Sequence, residues 1–69
     1  MEVNMKTTIN NEILTAIKRK RGELNITISK LAVETGISRF TIYRIFEEGN
    51  VPVYPSTKEK LVTWLAKNS

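Results

Sequence analysis

The sequence predicts an all-α domain, a small bundle of four short helices, on three observations. Apolar residues recur at intervals of three, four and seven along most of the chain. Helix-capping and helix-stopping residues stand at the edges of those stretches, and no run alternates apolar with polar residues for long enough to compete as a strand. At 69 residues the chain is expected to form one domain with one small core, because the share of surface buried on folding falls with size and domains under roughly 70 residues sit near the limit of independent folding. Hydrophobic residues make up 41% of it, which is enough to pack a core. There is no Cys and no His, so neither disulfides nor thiolate or imidazole ligation of zinc can brace that core.

Residues 1–7 carry little apolar content and read as a flexible tail before a single domain over residues 8–69. The first helix is expected from about Thr8 to Leu24, with Ile9, Ile13, Ala16, Ile17 and Leu24 on one stripe. Lys20 interrupts the stripe, and Gly22 costs about 1 kcal/mol relative to Ala inside a helix, which places a frayed end near Arg21. Thr27 suits the N-cap of a second helix, its hydroxyl accepting from the backbone N–H of Ser29 or Lys30. Leu31 and Ala32 then face inward, and Gly36 ends the helix by taking the left-handed conformation that other residues enter at a steric cost. Ile37 follows as an apolar plug.

Ser38 caps a third helix with Ile42, Ile45 and Phe46 inward and Arg39, Phe40, Tyr43, Arg44 and Glu47 outward. Glu48, Gly49 and Asn50 end it. Pro52 and Pro55 push the residues before them toward extended geometry, so residues 51–55 read as a connector. Ser56 and Glu59 have the Ser-x-x-Glu spacing of a capping box, which starts the last helix, with Leu61, Trp64 and Leu65 on its inner face.

Eleven Lys and Arg against seven Glu and no Asp give a net charge of +4. Lys18, Arg19, Lys20, Arg21, Lys30, Arg39 and Arg44 all fall between residues 16 and 44, where the acids are Glu23 and Glu34 alone. A cluster of this kind suits a polyanion. The plainer reading of Lys18 to Arg21 is a solvated helix end whose cations complement the helix dipole. No apolar run approaches the roughly 20 residues of a membrane-spanning helix, so a cytoplasmic protein with no membrane partner is expected. With no carboxylate pair, His, Cys or Gly-rich phosphate loop, the residues point to a binding module rather than an enzyme, with no cofactor and no metal.

The segment from Ile28 to Phe46, ISKLAVETGISRFTIYRIF, resembles a helix-turn-helix. Leu31 and Ala32 stand where the first helix packs on the second, Gly36 at the turn, Ile37 just after it, and Ile42 and Ile45 on the inner face of the recognition helix. In the run Leu31-Ala32, Gly36-Ile37-Ser38, Thr41-Ile42 and Arg44-Ile45 the chain is similar to the phage repressor and Cro family, and also to the lactose-repressor family. With Ile9 to Leu24 as a preceding helix, the former is the closer architecture. It implies a lambda-repressor-like bundle of four helices, or of the five that family often has. Departures from its pattern are Lys20, Lys30 and Phe46.

The resemblance implies a sequence-specific regulator of transcription acting on a double-stranded DNA operator, with the recognition helix over residues 39–47 in the major groove. Arg39, Phe40, Tyr43 and Arg44 are the candidate base contacts. Arginine bonds guanine O6 and N7 in parallel, and a phenylalanine ring can meet a thymine methyl. Thr27, Lys30, Ser38 and Thr41, with Lys18, Arg19 and Arg21 on the first helix, are the candidate phosphate contacts. Arg21 has an alternative use as an ion-pair partner of Glu47 or Glu48. A homodimer would present two recognition helices about 34 Å apart, and the self-interface would draw on Val51, Val53, Tyr54 and the last helix. The competing reading is an antirepressor, a modulator that docks on a partner repressor protein through Phe40, Tyr43, Arg39 and Arg44, a composition typical of interface cores.

Overall fold

The computed structural model describes residues 7–49 and 51–68. Four helices carry the architecture: α1 (Asn11–Leu24), α2 (Ile28–Thr35), α3 (Arg39–Glu48) and α4 (Pro55–Lys67). The all-α class therefore holds, with four helices among the described residues. Two short strands join them, β1 (Thr7–Thr8) and β2 (Pro52–Val53), paired antiparallel with Thr7 opposite Val53 and Thr8 opposite Pro52. Apart from Thr7, the tail expected over residues 1–7 lies outside the described residues, as does Asn50.

The first helix starts later than the apolar stripe suggests. Asn10 is its N-cap, with Oδ1 accepting from the Ile13 N–H at 2.8 Å, and this satisfies one of the orphan donors of the first turn. Residues 7 and 8, expected in or beside the helix, extend the chain to β2 instead. The helix also runs through Gly22 to Leu24 rather than fraying near Arg21. Asn25 stops it in the left-handed conformation, at φ 56, which Asn enters more readily than other side-chain-bearing residues. Ile17 and Leu14 are the buried residues of α1. Leu24, placed on the stripe by spacing, is exposed because it lies in the last turn, beyond the packed core.

The helix-turn-helix forms at the expected residues. Thr27 Oγ1 accepts from the Lys30 N–H at 3.1 Å, Gly36 ends α2 at φ 75, and Ser38 Oγ accepts from the Phe40 N–H at 3.2 Å. A further lock is Thr35, buried at the end of α2. Its hydroxyl donates to the Leu31 carbonyl at 2.8 Å and accepts from the Ile37 N–H at 3.3 Å, so one side chain ties the last turn of α2 to the turn that follows.

The core gathers Ile17, Leu31, Ile42, Ile45 and Leu61 with Trp64, and to these the strand segments add Ile9, Val51 and Val53. Helix α2 packs on α3, while α4 packs across α1 and α2. Trp64 is pinned by its own polar handle, Nε1 donating to Glu34 Oε1 at 2.8 Å. Two expectations are corrected here. Val51 and Val53 are buried in the protein's own core, so they are not available to a self-interface. The Ser56–Glu59 capping box does not form: with Pro55 preset for the first helical position, α4 begins two residues earlier and Tyr54 becomes its N-cap. The N–H groups of Thr57 and Lys58 then both donate to the Tyr54 carbonyl. No helix among the described residues is long and apolar enough to cross a membrane.

Candidate nucleic-acid interface

The outer face of α3 follows from its inner one. Ile42 and Ile45 are buried against the core, and at about 100° per residue this turns positions 40, 43, 44 and 47 outward. Phe40 and Glu47 lie along the middle of that face, with Tyr43 on one side of the line and Arg44 on the other. Phe40 is 71% exposed and Tyr43 48%, which is unusual for large aromatic side chains in a domain that has so few to spare for its core. The Arg39 guanidinium lies over the Phe40 ring at 5.3 Å from its centroid. That contact holds a cation beside the ring at the N-terminal end of the helix.

All four candidate base contacts, Arg39, Phe40, Tyr43 and Arg44, are thus brought onto one exposed surface. The candidate phosphate contacts are more scattered. Thr27 and Ser38 each use the hydroxyl oxygen to cap a helix, which leaves each O–H able to donate outward. Lys30 is exposed, with Nζ 4.0 Å from Glu34, a long surface pair worth little. Thr41 is half-buried at the edge of α3, where it and Arg44 line a groove shared with residues 51–54 and Thr57.

On α1 the basic run divides. Lys18 lies over the Phe46 ring at 5.6 Å, which brings it against the flank of α3. Arg19 is exposed one residue further, about 100° round the helix. Lys20 pairs with Glu23 at 3.0 Å. Arg21 turns inward. Its Nη1 donates to the Ile26 carbonyl at 2.8 Å, and its Nε is buried without a hydrogen-bond partner among the described residues. Neither Glu47 nor Glu48 pairs with it there. It closes the α1–α2 turn, and the half-buried position takes it out of the exposed basic surface to which its place in the run assigns it.

The helix-turn-helix domain of resolvase matches residues 6–49 of the chain, from the end of the N-terminal segment to the close of α3. The chain belongs to this family. It is a DNA-binding helix-turn-helix domain, and α3 is the second helix of its helix-turn-helix. The match ends before β2 and α4, and it supports the helix-turn-helix that the residue pattern predicts without reaching the phage repressor and Cro type or the lactose-repressor type. No curated protein and no solved structure matches the chain.

Proposed function

We propose that this domain is a sequence-specific DNA-binding regulator of transcription, working in the cytoplasm as a repressor or Cro-type protein rather than as an enzyme. The observation that carries the reading is the outer face of α3, where two arginines and two aromatic rings stand exposed on a helix whose opposite side is fixed in the core. Arg39 and Arg44 offer paired N–H donors to guanine edges, and Phe40 and Tyr43 offer apolar surface to thymine methyl groups. Thr27, Lys30, Ser38 and Thr41, with Lys18 and Arg19, set the register through phosphates, contacts that position without reading sequence. One such domain covers only a half-site, so a palindromic operator bound by two copies fits the reading.

The test is enrichment of duplexes from a random-sequence pool by the whole chain, followed by affinity measurements over a range of salt. Arg44→Ala is expected to weaken binding to the enriched duplex by about 1–3 kcal/mol while barely changing affinity for the unselected pool beyond the loss of one charge. Lys18→Ala should weaken both alike and lower the slope of log K against log salt by about one. A chain that enriches no sequence at low salt would overturn the proposal.

A further inference from the structure

Beside the recognition face a groove runs between α3 and the corner where β2 meets α4. Thr41 and Arg44 form one wall, and residues 51–54 with Thr57 form the other. We propose that this groove seats the sugar–phosphate backbone of the DNA strand flanking the recognition helix, which makes the β2–α4 corner a second DNA-contacting element. The inference rests on the DNA-binding reading above and assigns residues outside the family's matched segment, since that segment ends at residue 49.

Continuity is the first argument. Arg44 belongs to both surfaces, so DNA lying against α3 on that side meets the groove next. Charge is the second. Arg44 is the one charged residue among the described residues lining the groove, whereas the cleft between α2 and α4 carries Glu34 and Glu59 with its lysines. The groove therefore carries a net positive charge, whereas in the cleft on the other side of α4 the two carboxylates balance Lys60 and Lys67. Size is the third. At about 110 Å³ the groove is far below the roughly 300 Å³ at which small-molecule pockets begin, so it fits one group of a larger ligand. Its chemistry is mixed in the way a nucleotide backbone is: the hydroxyls of Thr41 and Thr57 can donate to phosphate oxygens, and Pro52 beside Tyr54 offers apolar surface to a deoxyribose.

Thr57 supplies a test that separates binding from folding. It is the third residue of α4, where a glutamate favours the helix through its dipole, yet a carboxylate there would face the phosphate. Thr57→Glu is expected to melt at or above the wild-type temperature and to bind both the enriched duplex and the random pool about tenfold or more weakly. Thr63→Glu makes the same charge change in the α2–α4 cleft and should bind far better than Thr57→Glu. Thr57→Val, which removes only the hydroxyl, should cost about threefold and abolish interference by ethylation at one phosphate of the enriched duplex.

If the wild-type chain binds DNA and the folded Thr57→Glu protein binds it equally well, the groove proposal is overturned while the DNA-binding reading stands. Should Thr57→Glu fail to fold, an unchanged affinity and ethylation pattern in Thr57→Val overturns the groove in the same way. A wild-type chain that binds no duplex removes both.

Discussion

At the scale of single residues, Gly22 and Gly36 make opposite predictions from the same chemistry. Gly36 has φ 75, and a Cβ added there meets nothing within 4 Å. Its requirement is thus purely conformational, and Gly36→Ala should cost about 1–2 kcal/mol. Gly22 lies inside α1 with equally open space around it, so Gly22→Ala should stabilise by about 1 kcal/mol. Urea denaturation of the two variants reads both signs. Trp64 adds a third case. Phenylalanine in its place keeps most of the ring but leaves the Glu34 carboxylate without its 2.8 Å donor, for an expected loss of about 1–3 kcal/mol. None of these three residues lies on the outer face of α3, so the change in DNA affinity at a temperature where the variants are folded should be small.

At the scale of elements, the caps were legible where a polar side chain precedes a helix with nothing to displace it. Thr27 and Ser38 cap as their positions predict. Ser56 does not, because Pro55 takes the first helical position and shifts the start of α4 by two residues. The difference is measurable: Thr27→Ala should cost about 1 kcal/mol, whereas Ser56→Ala should stay within about 0.5 kcal/mol of wild type. The strand pairing was not legible at all. Two residues on each side give no alternation to detect, and Pro52 argues against a central strand. It is tolerated here because the sheet has two strands among the described residues, so Pro52 lies at an edge. Thr35 was missed for a related reason. A threonine near the end of a helix is ordinary in sequence, and only the approach of the Ile37 N–H shows that its hydroxyl joins helix to turn.

At the scale of the whole molecule, stability is expected to be thin. For 69 residues the usual range corresponds to roughly 3–10 kcal/mol in total, against about 2–5 kcal/mol for truncating one buried isoleucine to alanine. Ile9 is the informative position, almost wholly buried between β1 and α1. Ile9→Ala should therefore unfold much of the population near physiological temperature, measured by circular dichroism. The same residue shows where sequence reading reached its limit. The four-helix class, the helix-turn-helix and the outward face of α3 could all be read along the chain. Each of these rests on local signals: apolar periodicity, a capping hydroxyl, and a glycine where the backbone must turn left-handed. Which side chains the core consumes became visible only in the packed fold. Val51 and Val53 looked available to a partner and Arg21 looked available to phosphate, yet residues distant in the chain bury the two valines, and the loop after α1 takes the arginine. The same folding lays residues 51–57 beside Arg44, because a groove between α3 and α4 depends on how helices pack, and no spacing within a single segment records that.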